Sequence, residues 1–143
     1  MLLGFKKRFI DPIKIGTKVF TMRKRRKKEV KIGETLYMYT ALRTKHCQLI
    51  TNKEKLISKQ KAWIRIIYIT DTFLSLKICV DGRSLHRNEI SEFVKFDGFT
   101  DENDFCKYWI DSVKKDRNKK GLRGQTCKIV ESLTMYHWTD LRY

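Results

Sequence analysis

Trp63-Ile64-Arg65-Ile66-Ile67-Tyr68-Ile69 and Phe73-Leu74-Ser75-Leu76-Lys77-Ile78-Cys79-Val80 are two closely spaced runs of strand-forming residues, and the second ends on Asp81-Gly82. β-Branched and aromatic side chains suit a pleated, half-buried surface, and an Asp-Gly pair is a turn signal. The two runs therefore predict strands that return on one another. Thr35-Leu36-Tyr37-Met38-Tyr39-Thr40-Ala41-Leu42 has the same character and extends the prediction to an all-β core.

Outward from that core the periodicity changes. Asn88 to Phe96 is a helical stretch, and a longer one begins at Asp101, where Phe105, Trp109 and Val113 recur at i, i+4 and i+8. Near the start, residues 9–16 predict a short helix with Asp11 as cap, Pro12 at the first helical position and Gly16 as the stop. A strand over Lys18 to Arg23 follows, with Val19, Thr21 and Arg23 on one face and Lys18, Phe20 and Met22 on the other. By that alternation Lys18 and Thr21 point apart unless a bulge intervenes. Residues 114–124 read as a basic loop, and two closing strands fall near Cys127–Val130 and Met135–Thr139. The expected class is α+β: a small β-barrel with one early helix and a late helical pair packed against it. No repeat and no Ser/Gly/Pro-rich linker divides the chain, so residues 1–143 read as a single domain.

The chain carries 32 Lys and Arg against 16 Asp and Glu, a formal net charge of +16. With 41% hydrophobic and 12% aromatic residues it has the material for a core, which excludes a disordered basic tail. Cys47, Cys79, Cys106 and Cys127 are irregularly spaced without a CxxC pair, which argues against a zinc finger or a disulfide scaffold. The start turns basic at Lys6-Lys7-Arg8 without an apolar signal-peptide region, and no run approaches a membrane span. These features predict a cytoplasmic protein with no membrane partner. So large a positive charge seeks an anionic partner, and nucleic acid leads because the basic residues are interleaved with aromatic ones. The densest run is Arg23-Lys24-Arg25-Arg26-Lys27-Lys28; others lie in residues 114–120 and at Lys53, Lys55, Lys59 and Lys61.

Three strings carry a family resemblance. Gly16-Thr17-Lys18-Val19-Phe20-Thr21-Met22-Arg23 has the form G-x-K-x-x-T-x-R and resembles the opening motif of the ASCH domain, a β-barrel related to the RNA-binding PUA domains. Lys31-Ile32-Gly33-Glu34-Thr35 and the strand after it look like the segment that follows in that family. Asp97-Gly98-Phe99, leading into Asp101 to Phe105, resembles its acidic-Gly-Phe approach to a helix, where Glu is frequent in the first position. The strings span about residues 5–139, and Leu42 to Lys45 with Met135 to Tyr143 look like small ASCH proteins of phages and their hosts.

The resemblance implies a PUA-like barrel associated with RNA. It also implies an alternative activity, an amidohydrolase that removes the acetyl group from N4-acetylcytidine through a lysine, a threonine and a glutamate. These fall on Lys18, Thr21 and Asp97, the last one methylene shorter than the family's Glu. Ribonuclease activity is a further implied alternative. In the binding reading, Lys18, Arg23, Arg25, Arg26, Arg43 and Lys45 hold phosphates while Tyr37, Tyr39 or a tryptophan stacks unpaired bases of RNA or a modified nucleoside. Phe20, Phe93, Phe105 and Trp109 are assigned to the core. A third reading is a phage protein that docks on an acidic host protein in the host cytoplasm. His46, His86 and His137 are too scattered to suggest a metal site. Gly121-Leu122-Arg123-Gly124 lacks the Lys-Ser/Thr of a phosphate-binding loop, so neither metal nor cofactor is expected.

Overall fold

The computed structural model describes residues 1–26, 30–69, 72–117 and 126–143. Along the chain lie β1 (Leu2–Phe5), a 3-10 turn (Lys7–Phe9), α1 (Ile10–Lys14), β2 (Phe20–Arg23), β3 (Tyr37–Thr40), β4 (Gln48–Thr51) and β5 (Ser58–Ile69). They are followed by β6 (Thr72–Val80), β7 (Arg83–Ser84), α2 (Arg87–Phe96), α3 (Glu102–Arg117) and β8 (Thr126–His137). The expected α+β class holds. The strands make two ladders, β1-β3-β4 and β2-β8-β5-β6-β7, and among the described residues neither closes on itself. A strand that the composition did not announce accounts for the departure from a single barrel. β1 pairs in parallel with β3, Leu2 opposite Tyr37 and Phe5 opposite Thr40, so β3 becomes the centre of a separate sheet with β4 on its other side.

The chain forms two compact units that interleave in sequence. One comprises residues 1–60, 96–98 and 134–143; the other comprises residues 61–95 and 99–133. In the first, Leu3, Phe20, Leu36, Met38 and Leu56 are buried. The fully covered ring of Phe20 by itself contributes roughly 1.5–3 kcal/mol of hydrophobic stabilisation. β2 is covered on both faces, with Phe20, Thr21 and Met22 all buried, and it pairs antiparallel with the end of β8, Phe20 opposite His137. The short helix forms where expected but starts at Ile10, so Asp11 sits inside it and no side chain caps its start. Pro12 is tolerated at the third position because the first turn of a helix has no internal acceptors for its N–H groups. Gly16 ends the segment at φ +79°, a left-handed conformation that a side chain would strain.

In the second unit β5 and β6 form the long hairpin that the sequence announced. β5 begins at Ser58, five residues before its apolar run and still within the first unit, where Ser58 and Gln60 are buried and the Lys59 Nζ donates to the Val30 carbonyl at 2.8 Å. Asp81 and Gly82 both have positive φ, 48° and 87°, as a two-residue type I′ turn into β7 requires. α2 is capped by Glu89, which accepts the His86 N–H at 2.8 Å, and α3 by Asp101, which accepts the Asp104 N–H at 2.9 Å. The apolar face of α3 is set by Phe105, Cys106 and Ile110, with Trp109 only half-buried at its margin. α3 runs on to Arg117, into the segment expected as loop, while residues 118–125 lie outside the described residues. The two expected closing strands are one continuous strand, β8, and Cys127 lies within it. No helix among the described residues is long and apolar enough to cross a membrane.

Candidate functional site

Lys18 lies in the irregular segment between Gly16 and β2. Its N–H donates to the Pro12 carbonyl at 2.9 Å, and the next N–H, that of Val19, donates to the Phe96 carbonyl at 3.0 Å. Strand alternation therefore does not reach Lys18, and Lys18 and Thr21 are both buried. The Lys18 side chain is only 2% exposed, and its Nζ donates to Asp97 Oδ1 at 2.5 Å and also to the Asp97 main-chain carbonyl. The ammonium stands 4.8 Å from the Phe9 ring centroid and 5.9 Å from that of Phe5. Two aromatic faces and two oxygens thus surround a cation that water hardly reaches.

The chain geometry around this pair leaves little freedom. Asp97 follows α2, and Gly98 after it adopts φ +84°. A Cβ on Gly98 would lie 3.1 Å from Lys18 Cδ and 3.1 Å from Phe9 Cδ1, so glycine is needed here both for its backbone angle and for its lack of a side chain. Burial pushes the Lys18 ammonium below its ordinary range, against the attraction of Asp97, and nearby Arg23 and Arg8 add to the lowering. Burial likewise pushes the Asp97 carboxyl up, against the pull of Lys18 and Arg23. Desolvation is the larger influence on both partners, which brings each toward its neutral form. A lysine shifted in that direction is a stronger candidate for a proton acceptor than one in water.

Arg23 belongs partly to this cluster. Its guanidinium lies 4.9 Å from the Phe5 ring centroid and donates through Nη2 to the Gly4 carbonyl at 2.7 Å. Arg26 donates in the same way to the Leu2 carbonyl at 2.6 Å. The two arginines thereby cover alternate carbonyls of β1, an edge strand whose outward backbone groups would otherwise invite pairing with another chain. Arg25 is exposed beside them, and Arg43 and Lys45 are exposed in the turn after β3, where Arg43 adopts φ +69°.

Tyr37 and Tyr39 share the outer face of β3, the first 42% exposed and the second half-buried. Register sets Leu2 beside Tyr37 and Leu49 beside Tyr39, and these leucines are 53% and 49% exposed. Four large side chains form one open patch, with the rings about 7 Å apart along the strand. The residues singled out from the sequence thus fall into two features. Lys18 and Asp97 form a closed ion pair, whereas the tyrosines, with Arg25, Arg43 and Lys45, are at the surface; Arg23 stands next to the pair.

The sequence reading missed Phe5, Phe9 and Gly98 as the walls of the ion pair, and Leu2 and Leu49 as parts of the patch. Asp97-Gly98 is a turn signal that marked the glycine, but nothing local in Leu2-Leu3-Gly4-Phe5 announced its parallel pairing. Among the described residues no group of three His, Cys, Asp or Glu side chains is placed to hold a metal ion. No protein-family model, curated protein or solved structure matches the chain.

Proposed function

We propose that this chain is an RNA-binding module of the ASCH, PUA-like type, which takes unpaired bases on the outer face of the β1-β3-β4 sheet. The observation that carries the reading is the exposed patch of Leu2, Tyr37, Tyr39 and Leu49 with arginines along its β1 edge and Arg43 and Lys45 beyond the end of β3. Aromatic faces that accept bases, flanked by cations that follow the phosphates, are the usual components of single-strand recognition. The net charge of +16 supplies the long-range attraction.

The test is fluorescence anisotropy with a labelled single-stranded RNA of twelve nucleotides. Wild-type affinity falls steeply between 50 and 200 mM salt. Tyr37→Ala/Tyr39→Ala binds at least tenfold more weakly, since stacking is worth about 1–3 kcal/mol per base. Equal affinity of the two proteins, or no binding at low salt, overturns the reading.

A second reading rests on the Lys18–Asp97 pair. In an amidohydrolase of N4-acetylcytidine, Lys18 takes the Thr21 hydroxyl proton, Thr21 attacks the acetyl carbon, and Asp97 orients the lysine or protonates the departing amine as the C–N bond breaks; a water then hydrolyses the acetyl-threonine ester to acetate, and the proton on Lys18 returns to the Thr21 oxygen. The depressed Lys18 pKa and the direct reach of Asp97 favour it. Burial of both groups weighs the other way, because a substrate must first open the pair. A chromatographic time course of N4-acetylcytidine decides: cytidine formed by the wild type and not by Lys18→Met supports the enzyme, and no cytidine from either removes it.

A further inference from the structure

The second unit carries a face that the sequence motifs did not single out. In β5, Ala62, Ile64, Ile66 and Tyr68 are buried, so Lys61, Trp63, Arg65 and Ile67 point to the opposite side, Lys61 exposed and the other three half-buried, with Cys79 buried opposite Trp63. In β8 the same alternation buries Ile129 and Leu133 and leaves Lys128, Val130 and Ser132 exposed. β6 adds Lys77 and Ser75, directly opposite Arg65 and Ile67. Among the described residues these open positions carry no carboxylate; Asp81, in the turn after β6, accepts the Lys61 backbone N–H at 2.8 Å.

Two features of this face are costly for the protein by itself. Arg65 and Lys77 are cross-strand partners, and like charges directly opposite one another in a sheet destabilise it. The Arg65 Nε is buried and has no hydrogen-bond partner among the described residues, which leaves a strong donor unsatisfied. An anion seated between the two side chains relieves both costs. Beside that position is an aromatic surface, Trp63, with the Lys77 Nζ 5.8 Å from its ring centroid. A phosphate site adjoining an indole face, on a sheet lined further by Lys61 and Lys128, matches a backbone carrying unpaired bases better than it matches an isolated anion.

We propose that the open face of the β5-β6-β8 strands is a second contact surface for single-stranded RNA, with a phosphate held between Arg65 and Lys77 and a base against Trp63. The proposal rests on the RNA-binding reading above, but it uses none of the residues of the β1-β3-β4 patch.

The test is Lys77→Glu, which turns the repulsive cross-strand pair into an attractive one and offers Arg65 an acceptor. Its urea midpoint rises above that of the wild type, so loss of binding cannot be ascribed to unfolding. RNA affinity at low salt falls at least tenfold, and the slope of log affinity against log salt flattens by roughly one unit. Lys77→Met, which adds no negative charge, shows a smaller loss in the same direction. Combined with Tyr37→Ala/Tyr39→Ala, Lys77→Glu lowers affinity further. If the wild type binds and Lys77→Glu binds equally well, the second surface is overturned while the first reading stands; if the wild type itself fails to bind, both fall.

Discussion

Lys18–Asp97 and Arg83–Glu89 are the same kind of contact in opposite surroundings. The first is closed from water on every side, and the second joins two side chains 48% and 33% exposed, with Arg83 Nη1 2.9 Å from both Glu89 oxygens. At the surface the pairing dominates: the hydrogen bond to Arg83, helped by the His86 N–H, pulls Glu89 down to about 2, while Arg83 moves up. In the interior the loss of water dominates, and Lys18 moves down while Asp97 moves up. The direction of the shifts, not the distance between the charges, separates an ion pair that settles a helix start from one whose partners are both moved toward their neutral forms.

The largest expected effect comes from splitting the buried pair. Lys18→Met leaves the Asp97 carboxyl without its partner and costs about 3–5 kcal/mol, read from urea unfolding. Lys18→Met/Asp97→Asn costs less than Lys18→Met alone, because no buried charge is then stranded. A double variant as unstable as the single one would show that the pair is not a coupled unit. Next comes Gly98→Ala, which forces a Cβ into Lys18 and Phe9 at a positive φ and lowers stability by more than about 1 kcal/mol. Wild-type stability there would mean that the walls of the pair yield easily.

The pH dependence sharpens the comparison. Asp97, raised in the fold, adds stability that is fully present below its ordinary 3.8 and is lost as pH rises through its folded value. Lys18, lowered in the fold, adds stability that is present above 10.5 and is lost as pH falls through its folded value. The pair therefore contributes least in the middle of the range. The stability of the wild type relative to Lys18→Met/Asp97→Asn should be lowest there and improve toward both acid and alkali. Glu89 behaves in the opposite sense: its contribution is present above 4.5 and fades as pH falls through about 2. The smallest effect expected is that of Glu89→Gln, which leaves the urea midpoint at pH 7 nearly unmoved since solvent screens the exposed pair.

Where local chemistry and tertiary structure agree, the fold was legible. The β5-β6 hairpin, the Asp81-Gly82 turn and both late helices follow from β-branched runs, a turn dipeptide and a helical period. Boundaries slipped where one requirement overrode another. β5 reaches back to Ser58 because Ser58 and Gln60 are buried without being apolar, and β8 runs unbroken where two strands were expected. β1 and β4 escaped notice because four-residue strands carry too little pattern to separate from a loop. At the site, the motif marked Lys18 and Asp97 as related, but their burial was not legible, since nothing in the sequence placed Phe5 and Phe9 beside them. Tyr37 and Tyr39, two residues apart in an expected strand, lie on one face, and only the register with Leu2 and Leu49 revealed the size of the patch.

The Lys18–Asp97 bond joins positions 79 residues apart, and β2 pairs with Thr134 to His137 near the other end of the chain. A ribosome that adds about 5–20 residues per second supplies Asp97 roughly 4–16 s after Lys18, and the partner of β2 later still. Throughout that interval Lys18 is an ordinary charged lysine in water, and the strand after it has no neighbour to cover it. β2 therefore waits for residues 134–137 to be made before it has its partner, whereas the β5-β6 hairpin finds its partner within a few residues of emerging.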